Sequence, residues 1–185
     1  MSSFTRKAIM DSCVRLLENR PVGKITVKDI VEDCGINRNT FYYHFADLPT
    51  LISEIMREDA QQLIHDNLEV ASLWECLERI LRFTQEHRRM ALHLYHSNDR
   101  ALFEKQLFQV CQYVVSQYVE RACGDLPIKE DDKRIIIEGY KCECFGQIIN
   151  WMNTNMSEDC LKDMIRLCKL REGATKEMLL KSMKI

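Results

Sequence analysis

The sequence predicts an all-α protein, and three observations carry that expectation. Apolar residues fill 46% of the 185 positions, enough to bury a core. Glycine and proline number only six and three, and neither occurs between residues 50 and 123, so the punctuation that hairpins and short strands need is missing. Where segments can be delimited, their apolar residues recur at helical spacing.

The elements follow in order. Phe4, Ala8, Ile9, Cys13, Leu16 and Leu17 form one stripe of a first helix that ends near Asn19, before Pro21 and Gly23. Thr26 sits where an N-cap belongs, with Asp29 as its capping-box partner, and Val27, Ile30, Val31 and Cys34 make the stripe of a short second helix. Gly35 is placed to take the left-handed conformation that closes it. Asn37 then caps a third helix, Arg38 to His44, and Asp47 a fourth whose first turn tolerates Pro49 and which runs to about Asn67.

The glycine-free stretch is too long for one helix. Ser72-Leu73-Trp74-Glu75 reads as a capping box and Ser97-Asn98-Asp99 as a polar break, giving helices over 72–86, 88–96 and 99–123. Gly124 to Pro127 closes that set. A long helix is expected over Lys129 to Met156, another from Ser157 to near Gly173, and a short one in the tail from Ala174.

Composition narrows the function classes. The longest run without Asp, Glu, Lys or Arg is Gln106 to Val119, 14 residues, short of the ~20 that span a bilayer. The first twenty residues carry charges through their apolar positions and lack a small-residue cleavage site, so a cytoplasmic protein is expected. Nine cysteines, an odd number without a secretion signal, read as reduced thiols inside helices. A glycine-rich phosphate loop, a nucleophile elbow and a zinc-protease helix motif are all lacking, so no enzyme is predicted. Neither a cofactor nor a metal is expected: His93 and His96 have helical spacing but read as an accidental pair, and no CxxC pair exists.

The segment from Ile25 to Phe45 carries the functional reading. Two short helices meet through a tight glycine turn. Phe41 and Phe45, four apart, can enter the core with Ile36 and leave Arg38, Asn39, Thr40, Tyr42, Tyr43 and His44 to the other surfaces. A seven-residue helix with so many hydrogen-bonding groups suits a major groove, where Arg matches guanine and Asn adenine while hydroxyls and helix-end amides hold phosphates. An ordinary solvated helix joining two others is the alternative, against which the cap, the turn and the aromatic pair all weigh. Charge agrees modestly: residues 1–45 hold seven Lys and Arg against five acids, and the remainder nineteen against twenty-three.

Thr26-Val27-x-Asp29-Ile30-Val31, Gly35-Ile36 and Arg38-x-Thr40-Phe41-Tyr42-x-His44-Phe45 resemble the N-terminal signature of TetR-type bacterial transcriptional regulators, over about 45 to 50 residues. The resemblance implies a three-helix DNA-binding head over 1–47 and a helical body over 48–185 that binds an effector and forms a homodimer mainly through its last two long helices. It also implies a sequence-specific DNA-binding regulator, read here as a ligand-responsive repressor on a pseudo-palindromic operator. An activator, or a protein-interaction module with weak DNA binding, is the alternative. Carried over by residue, the phosphate and base contacts fall on Thr26, Lys28, Asn37, Arg38, Asn39, Thr40, Tyr42, Tyr43 and His44. Asn37 and Cys34 stand where the family usually has Ser and Ala, and Leu48 replaces the usual phosphate-contacting Lys, which predicts weaker binding per head. The INRNTFYYHFADLP stretch is most similar to small regulators that include activators of dihydroxyacetone kinase operons.

The body is less legible. Gly139, Cys142 and Gly146 form a small-residue face, and Phe145 to Ser157 is uncharged. With Ile149 and Trp151, and with Leu161, Met164, Ile165 and Cys168 of the next helix, they read as a subunit interface, burial within one subunit being the other possibility. Trp74, His93, Tyr95, His96, Tyr113 and Tyr118 are candidates for an effector pocket, because amphipathic rings supply polar handles in an apolar cavity.

Overall fold

A computed structural model describes the backbone of residues 2–65, 73–98, 100–171 and 173–183, and side chains over 4–62, 77–78, 80–98, 100–171 and 173–183. Among these residues there are ten α-helices and no strand: α1 (Ser2–Asn19), α2 (Val27–Asp33), α3 (Arg38–His44), α4 (Leu48–His65), α5 (Leu73–Glu86), α6 (Arg88–Tyr95), α7 (Arg100–Cys123), α8 (Glu130–Asn153), α9 (Glu158–Leu170) and α10 (Ala174–Ser182). A single 3₁₀ turn, Val22–Lys24, follows Pro21, where only a helix stop is expected.

The caps explain the boundaries. The Thr26 hydroxyl accepts from the Asp29 amide at 3.3 Å while the Asp29 carboxylate accepts from the Thr26 amide at 2.7 Å, closing the expected capping box. At the other end of α2, Gly35 has φ +67° and the Ile36 amide donates to the Val31 carbonyl at 3.0 Å, a Schellman closure. Asn37 accepts from the Thr40 amide at 2.8 Å, and Asp47 from the Thr50 amide at 2.8 Å. Ser157 caps α9 through the Cys160 amide at 3.3 Å. The capping box expected at Ser72 lies outside the described residues.

The helix expected to reach Met156 stops at Asn153. Asn155 and Met156 turn into the left-handed region with φ 51° and 55°, a conformation that side chains with a Cβ rarely adopt. Burial compensates: Met156 is fully enclosed, its amide donates to the Trp151 carbonyl at 2.8 Å, and the Trp151 indole donates to the Ser157 carbonyl at 3.2 Å.

The chain divides into two compact units, Met1–Asp59 with Glu86–Gln106, and Ala60–Gln85 with Leu107–Ile185. The first is built on Ile9, Cys13 and Leu17 of α1, Ile30 of α2, Phe41 of α3 and Leu51 of α4, all fully buried. His93 on α6 bonds through Nδ1 to the Leu17 carbonyl at 2.6 Å, tying α6 to the end of α1. The second unit is built on Leu81, Val115, Val119, Trp151, Met152 and Leu179. Thiols belong to both cores. Cys13 in the first and Cys111 in the second are buried, and desolvation pushes each up to about 12. Cys142 is exposed. No helix among the described residues is long and apolar enough to cross a membrane.

Candidate nucleic-acid interface

The surface formed by the start of α2 and by α3 follows from what α3 buries. Phe41 and Phe45 turn inward, their ring centres 6.0 Å apart, and fix one side of a two-turn helix. The opposite side is left to solvent. Tyr43 is 79% exposed and Tyr42 55%, unusual for aromatic side chains. Tyr42 stands edge-on to Phe41 at 5.5 Å and Tyr43 edge-on to His44 at 5.1 Å, so both rings are held although solvated. Asn37, Arg38 and Asn39 are exposed beside them, with Thr40 and His44 half-buried. At the start of α2, its cap Thr26 and Lys28 are exposed as well. All nine residues carried over from the resemblance thus lie on α3, on α2 or at their caps, within the first unit.

Three of them, Thr26, Asn37 and Thr40, already have local work. The Thr26 hydroxyl donates to Asp29 at 2.6 Å, and Asn37 accepts from the Thr40 hydroxyl at 3.1 Å as well as from its amide. Their side chains set the angle at which α2 and α3 begin. The two hydrogen bonds from Thr26, aided by Arg20, hold the Asp29 carboxyl below the usual carboxylate range.

The electrostatics differ from the count of charges. Of the basic residues in 1–45, Arg15 pairs with Asp33 at 2.6 Å, Arg20 with Asp29 at 3.2 Å and Lys28 with Glu32 at 3.6 Å, while Arg6 engages Glu54 and Glu58. Among the described residues no ion pair engages Arg38. Its guanidinium is therefore the cation on α3 whose charge is not offset by a carboxylate. Apart from Lys28 and Glu32, which stand four apart on α2, these pairings join separate segments, so no local spacing announces them. Leu48 is half-buried and lines a cleft, offering no cation at the head of α4.

The effector candidates do not converge. His93 is committed to the Leu17 carbonyl. Tyr95 is buried in the first unit, where its hydroxyl accepts from Arg100 at 2.5 Å and its ring lies under the Arg100 guanidinium at 4.1 Å. His96 is exposed. Tyr113 and Tyr118 are half-buried on α7 in the second unit, and the side chain of Trp74 lies outside the described residues. Each unit contains a cavity, one of about 220 Å³ in the first and one of about 30 Å³ in the second, and none of the six candidates lines either. Mainly aliphatic side chains do that instead, with Ser53, Ser97 and Phe103 added in the first unit, because the space is set by which helices fail to meet, and residue type does not advertise it.

The nine interface candidates divide by burial. Gly139, Cys142 and Gly146 are exposed on α8, and a Cβ added at either glycine would meet open space. Ile149 and Ile165 are half-buried. Trp151, Leu161, Met164 and Cys168 are buried within their own unit, so they are internal packing and offer a partner no surface. A run of uncharged residues reports coverage without saying which chain supplies the cover.

Comparison with known proteins decides the family. Residues 9–54 match the model of bacterial regulatory proteins of the tetR family, and residues 72–170, more than half of the chain, match that of a transcriptional regulator C-terminal region. The chain belongs to the tetR family. As a TetR-family protein it is a DNA-binding transcriptional regulator, and proteins of this family bind DNA operators and typically act as dimers. It is 31% identical over 87 residues to the HTH-type dhaKLM operon transcriptional activator DhaS of Lactococcus lactis subsp. lactis, a match spanning 47% of this chain and 46% of that protein. It is 24% identical to the HTH-type transcriptional regulator AcrR of Shigella flexneri, over 94% of this chain and 95% of that one. Among solved structures, a TetR regulator from Rhodococcus sp. RHA1 has a TM-score of 0.66 at 15% identity, covering 92% of this chain and 97% of its own. The dihydroxyacetone kinase operon activator DhaS has a TM-score of 0.61 at 19% identity, covering 96% and 97%. Both share the all-α TetR fold.

Proposed function

We propose that the protein is a homodimeric, ligand-responsive repressor that acts in the cytoplasm by binding DNA, without catalysis, through residues 1–47, with residues 48–185 supplying dimerisation and effector binding. The observation that carries this reading is the solvent-facing side of α3, where Arg38, Asn39, Tyr42 and Tyr43 stand exposed over a buried Phe41. In each half-site Arg38 and Asn39 meet base edges, while Lys28, the tyrosine hydroxyls and the first amides of α3 hold phosphates. Two such helices lie about 34–36 Å apart, one helical turn, on a pseudo-palindromic operator. The exposed glycine face of α8 supports dimerisation. The effector reading rests on the cavity of about 30 Å³ among Leu77, Leu107, Cys111, Val114 and Ile148, which is wholly apolar and would have to widen to admit a ligand.

The similarity to DhaS favours a second reading in which the protein activates transcription. The deciding experiment is a footprint of the purified protein on genomic DNA, followed by a reporter driven by the bound promoter. Deletion of the gene raises expression for a repressor and lowers it for an activator. Absence of a salt-dependent footprint on any duplex would remove the DNA-binding reading altogether.

A further inference from the structure

We propose that the cleft of about 220 Å³ in the first unit is a second ligand site, for a small neutral ring compound bearing one hydrogen-bond donor, of the phenol or indole class. Its walls come from three places. Val22 and Ile25 precede α2, Leu48 and Ile52 begin α4, and Leu94 and Phe103 belong to the end of α6 and the start of α7. No ionisable side chain lines it, so a charged ligand would lose its hydration without a counter-charge. The volume exceeds the ~150 Å³ apolar cavity that accommodates benzene and leaves room for a ring system of about ten non-hydrogen atoms.

Two hydroxyls set the polar requirement. Ser53 donates to the Pro49 carbonyl at 2.9 Å and Ser97 to the Leu94 carbonyl at 2.8 Å. With its proton committed inside α4, the Ser53 oxygen meets a ligand as an acceptor, which selects a phenolic O–H or an indole N–H over an ether or a ketone. The site differs in place and chemistry from the wholly apolar cavity of the second unit, which has neither hydroxyl nor aromatic ring in its lining.

Position gives the site its consequence. Ile25 immediately precedes Thr26, the cap of α2, and Leu48 lies three residues after Phe45, the cap of α3. The cleft therefore touches both ends of the helix-turn-helix segment at once, and an occupant fixes their spacing against α6 and α7. This consequence for DNA affinity rests on the DNA-binding reading above, whereas occupancy does not.

The test uses the full-length protein with labelled Ile, Leu and Val methyl groups and two probes, phenol and toluene. Phenol is expected to shift the methyl signals of Ile25, Ile52, Leu94 and Leu102 saturably, and to bind about tenfold tighter than toluene, as one hydrogen bond supplies. Ser53→Ala removes that preference without changing the shape of the cleft, and Leu102→Phe abolishes binding by filling it. If Leu102→Phe fails to fold, Ile52→Phe serves the same purpose. No saturable shift, shifts confined to Leu77, Val110 and Val114, or an undiminished preference in Ser53→Ala overturns the proposal. On a footprinted operator fragment, saturating phenol is expected to change affinity at least about fivefold. Binding in the cleft with unchanged operator affinity refutes the regulatory part, and failure of the ligand-free protein to bind any duplex refutes the DNA-binding reading while the methyl shifts still decide the site.

Discussion

The Arg6 guanidinium lies 5.3 Å from the centre of the Phe45 ring, at the residue where α3 ends. The same side chain pairs with Glu54 and Glu58, one turn apart on α4. One arginine of α1 thus joins the end of α3 to the first half of α4, and the two carboxylates keep it charged, outweighing its partial burial. A cation over a ring contributes about 0.5–2 kcal/mol depending on desolvation. Arg6→Ala is expected to lower the melting temperature by a few degrees and Arg6→Lys to recover only part, since an ammonium cannot pair with both carboxylates in a fork. Differential scanning calorimetry measures both, and an unchanged midpoint in Arg6→Ala would show the clamp to be inert.

Substitutions on the DNA-facing surface should separate by role. Arg38→Ala and Asn39→Ala are expected to cost about 1–3 kcal/mol and relax preference at one base position each, whereas Lys28→Ala weakens all duplexes alike and lowers the salt slope by about 1. The Lys28 effect is the smaller because Glu32 already offsets its charge. Binding isotherms on operator and scrambled DNA at several salt concentrations discriminate the two classes. Identical losses on both DNAs for Arg38→Ala would mean that α3 does not read bases.

Three carboxylates give a pH signature of opposite signs. Hydrogen bonds from Thr26 lower Asp29, and those from the Thr50 hydroxyl and amide lower Asp47, so their stabilisation is present above the unfolded value near ~3.9 and is lost as pH falls through the folded values. Burial raises Asp59, against the pull of His87, so it opposes folding increasingly as pH rises from ~3.9 through its folded value. Asp59→Asn should therefore raise the melting temperature at pH 7 and leave it unchanged at pH 3. Asp47→Ala should lower it at pH 7 by an amount that shrinks at pH 3. Thermal melts across that range check both.

Gly146→Arg is expected to give folded monomers that bind the operator poorly. Among the described residues nothing lies within 4 Å of a Cβ added there, so a loss of dimer with the fold retained would arise between chains. Light scattering and circular dichroism together decide it, and a variant that stays dimeric puts the interface elsewhere.

What could be read in advance was local. Thr26 with Asp29, Asn37 with Thr40 and Asp47 with Thr50 each act over three residues, so the helix starts of the first unit, and with them the exposed side of α3, were visible in spacing alone. The end of α8 was not, because Asn155 and Met156 take a left-handed turn that glycine would have signalled and that only enclosure of Met156 explains. Neither the union of α1, α3 and α4 through Arg6 nor the lining of the cavities was legible, since each joins residues distant in the chain. Trp151 shows the same limit from the other side: its uncharged neighbourhood announces burial, and only the fold says that its own chain performs it.

The enclosed thiols make the molecule its own clock. A thiol held up to about 12 presents almost no thiolate at neutral pH, so an alkylating reagent attacks Cys13 or Cys111 only while the surrounding helices have parted. Labelling rates at those positions then count openings, with Cys13 timing the unit that carries α3 and Cys111 the other, while exposed Cys142 reacts at once and calibrates the reagent. Operator DNA that slows Cys13 without touching Cys111 would show the two units breathing on separate schedules.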